Sequence, residues 1–323
     1  MRTHKPLFSS NAVVSGCTTH SGIPCVNTTR NILKYGTHHT ITSCEFTGIS
    51  TPLQSGGAIY LHGDDSSDST TLYVDHCVFQ SCSTTGDHGD QTGGGAVYTD
   101  CGSLLSISSS IFIHCSTNSY GGAVYAQKKC KSAVLSSCTF RDCSALTGGS
   151  FMTYIGPANT VSSSHFIFSA ALWVGGGLYH AHEYSSGFLS LSNCLFTRNI
   201  AHYTNDSDLY VYRGGGGFED GHVGTYKTEC LFSFFTANSA PNGVGEDISV
   251  VSSPLSRSPL THCLTTSSLS FWNQNAYTNN WLPWTSIYVS FRVVNLNRYP
   301  ERSILYNRCT TLWYQYKSHL RRP

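Results

Sequence analysis

The chain has 323 residues and a formal net charge of +1, and only 11% of its residues are charged. Helix-forming Glu, Lys and Met are scarce while Gly, Ser and Thr are abundant, which argues against a solenoid built from helices. Residues 1–253 carry 17 carboxylates against 11 Lys and Arg, a charge balance that does not suit nucleic-acid binding.

Residues 1–24 show no periodicity and predict an irregular leader or N-terminal cap. Their first residues lack the apolar core of a secretory signal, and no run of the chain reaches the roughly 18 apolar residues of a membrane-spanning helix. Fourteen cysteines and the glycosylation-type sequons at Asn27 and Asn205 instead favour an extracellular or cell-surface protein. A cytoplasmic chain and a fragment of a larger exported protein are the open alternatives.

Residues 25–253 repeat two short phrases. The first is Gly-Gly-Ala-Val-Tyr at 121–125, with exact or weaker copies at 56–60, 94–98, 148–152, 175–179 and 214–218. The second phrase ends in a phenylalanine, in the series Phe46, Phe79, Phe112, Phe140, Phe168, Phe196 and Phe235. The steps of this series are 33, 33, 28, 28, 28 and 39 residues. Nearly equal steps, lengthened by loop-sized insertions, indicate an array of stacked repeats.

Each repeat contains short β-branched or aromatic runs separated by turns rich in Gly, Ser and Asp. One repeat cannot bury an apolar face alone, whereas stacking at about 4.8 Å pairs every strand with the coils above and below. The predicted fold class is therefore all-β, a right-handed parallel β-helix of about eight coils. Residues 254–323 hold four of the five tryptophans and predict a C-terminal cap or appendage, or a poorly ordered tail.

Side-chain alternation assigns the inward positions of each repeat, because Cys138 and Phe140 lie on the same face of one strand. Stacking in register then predicts three internal rows, of which the phenylalanines form one. The row beside them contains Cys44, Cys77, Ser110, Cys138, Phe166 and Cys194. The third row contains Ile49, Cys82, Cys115, Cys143, Ala171, Asn199 and Asn238. We expect the cysteines to be small buried hydrophobic residues, although coil spacing also permits disulfides in an oxidising compartment.

The repeated phrases resemble two known kinds of sequence. Gly-Gly-Ala-Ile/Val followed by Phe-x-x-Asn, as at Phe196 and Phe235, is similar to the repeats of bacterial polymorphic outer membrane proteins. Cysteine in place of that asparagine, as after Phe79, Phe112 and Phe140, resembles the cysteine-bearing right-handed β-helix repeat proteins of anaerobic protists. The resemblance covers about residues 40–250 and implies a pectate-lyase-like fold with a role in surface display, adhesion or recognition.

Tyrosines of the glycine phrase are the candidate ligand-binding residues. If the preceding aliphatic residues point inward, Tyr60, Tyr98, Tyr125 and Tyr179 form an outward row of stacked rings. Such a row is suited to sugar rings or to a protein partner. The alternative is that these rings only cover the outside of the sheet.

Carboxylates supply the candidate metal site. Asp64, Asp65 and Asp68, with Asp100 on the equivalent turn one coil later, offer oxygen ligands for Ca²⁺. A polysaccharide lyase also needs a cationic base, but residues 35–127 contain no Lys or Arg. A solvated polar turn is the alternative interpretation, and the spacing of the cysteines does not fit a zinc site.

These observations favour a monomeric, non-catalytic recognition or adhesion module that presents variable turns on a β-helix rod, with a glycan or protein ligand. No catalytic residue is assigned and no cofactor is expected, apart from possible Ca²⁺. A carbohydrate-active lyase or hydrolase on the same fold is the first alternative. The sensor portion of a larger receptor is the second alternative.

Overall fold

Parallel strand pairing organises the chain in the computed structural model. The structure describes residues 12–13, 25–27, 30–33, 38–61, 70–85, 92–100, 103–127, 130–153, 159–181, 188–202, 215–221, 227–241, 248–252, 260–261, 264–265, 269–273 and 289–290. Within these ranges there is no helix, and every strand pair is parallel. The predicted all-β parallel β-helix is confirmed as the fold class.

Each coil visits up to four sheets in a fixed order, and we number the sheets in that order. Sheet 1 contains Ala12–Val13, His38–Thr42, Thr70–Asp75, Ser103–Ser108, Ser132–Ser136, Asn159–Ser162, Phe188–Ser192, Lys227–Leu231, Leu260–Thr261 and Val289–Ser290. Sheet 2 contains Cys25–Asn27, Cys44–Thr47, Val78–Gln80, Ile111–Ile113, Thr139–Arg141, His165–Ile167, Leu195–Thr197, Phe234–Thr236 and Leu264–Thr265.

The remaining two sheets complete the coil. Sheet 3 contains Ser50–Thr51, Ser83–Thr84, Ser116–Thr117, Ser144–Ala145, Ala170–Ala171 and Ile200–Ala201. Sheet 4 contains Asn31–Leu33, Ile59–Leu61, Val97–Thr99, Val124–Ala126, Phe151–Thr153, Leu178–Ala181, Phe218–Gly221, Ile248–Ser252 and Leu269–Asn273.

We number the coils from the one that contains the first strand of sheet 3. Coils 1 to 6 span residues 38–61, 70–99, 103–126, 132–153, 159–181 and 188–221. Sheet 3 has six strands and therefore extends over five turns of the chain, fewer than the eight or so coils expected. Sheets 2 and 4 have nine strands each. The right-handed sense of the helix stays a prediction.

Strand pairing also extends beyond the predicted repeat region. Ala12–Val13, in the predicted leader, pairs with the first strand of coil 1 in sheet 1. After residue 253, Leu269–Asn273 pairs with Ile248–Ser252 in sheet 4. The domain boundaries at 24 and 253 stay predictions, and most of the predicted C-terminal cap lies outside the described residues.

Two corners of each coil are formed by single residues in the left-handed conformation, with φ between 47° and 65°. The corner between sheets 1 and 2 is formed by Ser43, His76, Ser109, Ser137, Ser163, Asn193 and Phe232. The corner between sheets 2 and 3 is formed by Gly48, Ser81, His114, Asp142, Phe168, Arg198 and Ala237. One such residue redirects the chain without a loop, so three short strands follow one another almost directly.

The glycine pair ends the turn that leads into sheet 4, and its two residues have different roles. Gly121 has a φ of +64°, a conformation that glycine adopts without strain. Gly122 does not have that conformation, but a Cβ on it would lie 2.0 Å from the carbonyl oxygen of Gly149 in the next coil. The glycine pair therefore combines a tight turn with a close approach between coils.

A stack of parallel phenylalanine rings runs through the interior. Neighbouring ring centroids lie 4.6 to 4.9 Å apart, and the ring planes differ by only 2° to 6°. The stack contains Phe46, Phe79, Phe112, Phe140, Phe166, Phe196 and Phe235. Complete burial of such a side chain contributes about 1.5 to 3 kcal/mol, which makes this row a main source of stability.

The placement of Phe168 in this stack was wrong. Phe166 pairs in register with Phe140 and Phe196, whereas Phe168 forms the following corner and is 41% exposed. In every coil the residue two positions after the stacked phenylalanine is the left-handed corner residue, so alternation stops there. The spacing of 28 residues favoured Phe168, but the actual steps around Phe166 are 26 and 30.

The same shift of two residues changes both neighbouring rows in coil 5. Ser164, rather than Phe166, follows Cys138 in the first row, because the amide of Cys138 donates to the Ser164 hydroxyl. Ser169, rather than Ala171, precedes Asn199 in the third row, because the Ser169 amide donates to the Asn199 side-chain oxygen. The other predicted inward cysteines, Cys44, Cys77, Cys138 and Cys194, are buried as expected.

Candidate binding face on the fifth coil

The tyrosines of the glycine phrase lie on the outer side of sheet 4, as the alternation predicts. Tyr60, Tyr98 and Tyr125 are register neighbours, and the Tyr60 and Tyr98 rings stack at 5.3 Å. However, Tyr98 and Tyr125 are fully buried and Tyr179 is 5% exposed. These three rings form a second apolar cluster, together with Met152, Val174 and Ala181.

The cover over this cluster comes from the turns that precede sheet 4. Tyr120 packs on Tyr125 with 5.6 Å between ring centroids, and the backbone at Gly93 lies directly against the Tyr125 ring. Only Tyr60 remains partly exposed, where the Arg30 guanidinium lies 4.7 Å from its ring centroid. Most of the row is therefore buried, in agreement with the alternative interpretation that these rings cover the outside of the sheet.

Of the predicted calcium ligands, Asp64, Asp65 and Asp68 lie outside the described residues. Asp100 is partly buried, and its backbone amide donates to the carbonyl oxygen of Leu61 at 3.1 Å. Among the described side chains there is no group of three His, Cys, Asp or Glu suited to a metal ion. The calcium site stays a prediction.

The inward cysteines are buried thiols whose environment opposes ionisation. Burial raises the pKa of Cys77 to about 12 and that of Cys138 to about 11. In the third row, Cys115 also has a strongly raised pKa because of burial, while its hydrogen bond to Cys82 lowers the pKa of Cys82. At neutral pH Cys77, Cys115 and Cys138 are therefore protonated core residues, and Cys82 is the exception in this set because its pKa is lowered.

One polar cluster lies at the outer corner of coils 2 and 3. The carboxylate of Asp75 accepts a hydrogen bond from the Ser108 hydroxyl at 2.5 Å and contacts Nδ1 of His76 at 2.7 Å. The Ser108 bond, followed by the His76 contact, lowers the pKa of Asp75. This arrangement orients the imidazole, and the hydrogen-bonded cluster contains one carboxylate.

Large apolar side chains are exposed on one side of coil 5. Phe168 is 41% exposed, Leu172 is 52% exposed and Trp173 is 44% exposed. The backbone below them is fixed, because the amides of Leu172 and Trp173 donate to the carbonyl oxygens of Ala145 and Leu146 at 3.0 and 2.8 Å. The side chains therefore project from a rigid support.

An arginine completes this surface. The Arg198 guanidinium lies 5.3 Å from the centroid of the Phe168 ring, since both residues form the same corner in successive coils. Within the described structure the guanidinium of Arg198 makes no hydrogen bond or ion pair. By contrast, Arg141 on the same side of the helix is paired with Asp142 at 3.1 Å. Arg198 is a charged group whose donors remain available.

Sheet 3 provides a low floor between these side chains. Its outward positions in coils 4, 5 and 6 are Ser144, Ala170 and Ile200, and the small Ala170 lies between Phe168 and Leu172 in the chain. We use the name coil-5 face for Phe168, Ala170, Leu172, Trp173 and Arg198. This face offers two aromatic rings, an aliphatic side chain and one positive charge.

Sequence reasoning missed the coil-5 face because it placed Phe168 in the core. One pattern was available to find it: two phenylalanines, Phe166 and Phe168, occur in one strand phrase where coils 1 to 4 and coil 6 each have one. Only one of them can enter the interior stack, so the other must be exposed. Leu172 and Trp173 are likewise two adjacent large apolar residues in a turn.

Comparison of the chain with protein-family models, with curated proteins and with solved structures finds no match. The class of protein is therefore defined by its own architecture, a parallel β-solenoid of stacked coils. Among the described residues, no helix has the length and apolar character needed to cross a membrane.

Proposed function

We propose that this protein is a non-catalytic recognition or adhesion module of the cell surface or extracellular space, in which the coils are a rigid support for a binding face. The observation that supports this proposal is the coil-5 face, with Phe168, Leu172 and Trp173 all more than 40% exposed. Exposed apolar clusters of this kind are typical of interaction sites, and Trp and Arg are the residues most enriched at binding hot spots.

The rest of the described structure favours binding over chemistry. The polar cluster at Asp75 has one carboxylate, whereas glycoside hydrolysis requires two that face each other across the bond. The buried thiols of Cys77 and Cys138 have raised pKa values, which disfavours nucleophilic catalysis by these two residues. The resemblance of the repeats to outer membrane and protist β-helix repeat proteins points in the same direction, to surface display and recognition.

The test is binding of the purified chain to an array of glycans and to intact cell surfaces, with the double variant Phe168→Ala/Trp173→Ala compared with wild type. Because each ring is expected to act as a hot spot of about 2 kcal/mol, the double variant should bind at least about thirtyfold more weakly. The matched control is Tyr73→Ala, which removes a ring that is also 44% exposed but lies on sheet 1. Equal loss in the control and the double variant would contradict the proposal.

A carbohydrate-active enzyme is the second candidate, and the Asp75–His76–Ser108 cluster is the observation that favours it. An oriented imidazole with its other nitrogen exposed to solvent is suited to proton transfer. This function predicts product formation on polyuronates or neutral polysaccharides, with loss of activity in Asp75→Asn. Such activity, unaffected by Phe168→Ala/Trp173→Ala, would replace the recognition module as the function.

A further inference from the structure

We infer that the coil-5 face binds an acidic protein segment, in which a carboxylate lies beside an apolar side chain. This inference rests on the proposed recognition function and specifies its ligand. The carboxylate pairs with Arg198, and the apolar side chain packs between Phe168 and the pair formed by Leu172 and Trp173.

Arg198 supplies the charge selection. Its guanidinium is held over the Phe168 ring at 5.3 Å and has no partner among the described residues, so its N–H donors face solvent. Arginine binds carboxylates through two parallel hydrogen bonds, and a guanidinium that is already stacked on a ring loses less freedom when it does so. No described carboxylate competes, because Asp142, at the same corner two coils earlier, is paired with Arg141.

The surroundings of Arg198 favour a protein side chain over a sugar. Of the three floor residues, Ala170 and Ile200 are apolar and Ser144 alone carries a hydroxyl, while Leu172 and Trp173 form the opposite side, so most of the surface beside the rings is apolar. A sugar ring stacked there would leave hydroxyl groups facing surface without hydrogen-bonding partners, which costs free energy. An aliphatic or aromatic side chain of a protein has no such cost.

The backbone of the face limits how the segment is recognised. The amides of Ala170, Leu172 and Ile200 already donate to carbonyl oxygens of the preceding coil, at 2.9 to 3.0 Å. An incoming strand therefore cannot add to sheet 3 by main-chain pairing. Recognition depends on side chains, and its specificity depends on the charge of residue 198.

The experiment is selection of a displayed library of random peptides of about twelve residues, a length that exceeds the span of the face, on the immobilised full chain. Acidic residues next to Leu, Ile, Phe or Trp should be enriched among the peptides selected by wild type. Arg198→Ala should weaken their binding about tenfold, the loss of one charge-assisted contact. Arg141→Ala is the matched control, because it removes an exposed but paired arginine, and it should bind as wild type does.

Charge reversal makes the test decisive. Arg198→Glu should select basic peptides in place of acidic ones while the apolar preference persists, since Phe168 and Trp173 are unchanged. Circular dichroism of each variant separates lost binding from lost folding. If wild type selects peptides without acidic enrichment, or if Arg198→Glu retains the acidic preference, the inference is wrong. A glycan ligand abolished by Phe168→Ala/Trp173→Ala would overturn the protein ligand but leave the recognition function intact.

Discussion

The third inward row of the helix differs between its early and late coils. In coils 2 to 4 it consists of the thiols of Cys82, Cys115 and Cys143. In coil 6 and the coil after it, the same row consists of the amides of Asn199 and Asn238. Thiols and amides differ in size, polarity and hydrogen-bond strength, yet both occupy one register of one continuous stack.

Both kinds of side chain contact the same backbone group, the carbonyl oxygen of the stacked phenylalanine one coil earlier. The thiols of Cys82, Cys115 and Cys143 reach it at 3.5, 3.6 and 3.8 Å. The side-chain amides of Asn199 and Asn238 donate to it at 2.8 and 3.0 Å. The position thus requires a buried donor that fits beside the phenylalanine stack, and two side chains meet that requirement with different strength.

The asparagine side chains also form hydrogen bonds with each other. The thiols of the cysteine coils do the same, but a thiol is a weaker hydrogen-bond donor than an amide. The Asn199 side-chain amide donates to the side-chain oxygen of Asn238 at 3.0 Å, and the Asn199 backbone amide donates to the same oxygen at 2.9 Å. The late coils therefore have a polar ladder inside an otherwise apolar core. Such a ladder stabilises only if every member keeps its partners.

The largest expected effect is from Asn199→Ala. This change leaves the Phe166 carbonyl and the Ser169 amide buried without their partners, which costs about 3 kcal/mol of the free energy of unfolding. Denaturant unfolding followed by circular dichroism measures it. Asn193→Gly, at an exposed left-handed corner of the same coil, is the control and should change stability by less than about 1 kcal/mol. A loss as small as the control's would mean that the ladder does not stabilise the fold.

A smaller loss is expected from Cys115→Ala in the thiol half of the row. The variant removes a buried sulfur atom and its weak hydrogen bonds, among them those to the Phe79 carbonyl and to Cys82, so the free energy of unfolding should fall by about 2 kcal/mol. The same denaturant titration compares it with Asn199→Ala. If the free energy of unfolding falls equally in both alanine variants, hydrogen-bond strength does not distinguish the cysteine part of the third inward row from its asparagine part.

The smallest effect per residue concerns alkaline pH, to which thiols respond and amides do not. Burial raises the pKa of Cys77 to about 12 and of Cys138 to about 11, above the ordinary value of 9.0. Protonated thiols then stabilise the native state fully below about pH 9, and this stability is lost as pH rises through the native pKa values. At about pH 10 each thiol should have lost about 1.4 kcal/mol of its contribution.

Comparison of wild type with Cys77→Ala/Cys138→Ala between about pH 8 and pH 10 isolates this effect from the titration of tyrosines. The free energy of unfolding of the double variant should fall less steeply with pH than that of wild type. Parallel slopes would show that these thiols ionise as easily in the native state as in the unfolded chain.

The periodic part of the fold could be predicted from the sequence because period and alternation are local properties. The glycine pair, the phenylalanine row and the inward cysteines each recur at a fixed place in the repeat, and the structure confirms them at Gly121, Phe140 and Cys138. Prediction failed where local spacing was ambiguous. The even spacing favoured Phe168, but pairing with the neighbouring coils places Phe166 in the stack.

The candidate site could not be predicted because exposure depends on what covers a residue. The outward tyrosines were placed on the correct side of sheet 4, but the packing of Tyr120 and Gly93 over Tyr125 involves turns whose path the repeat does not specify. Arg198 gave no pattern in the sequence. Its role depends on a ring one coil away, separated from it by 30 positions.

The second residue of each glycine pair gives neighbouring coils the same kind of backbone contact. At Gly95, Gly122, Gly149 and Gly176 any Cβ would lie 2.0 to 2.4 Å from a backbone oxygen of the next coil, so each level meets the next through the same bare backbone. Deletion of the segment between two such glycines removes one coil. The coils on either side of it then meet through backbone surfaces of the same shape. We therefore expect that duplication or deletion of whole coils within the gene would preserve this backbone contact, while the outer residues diverge independently.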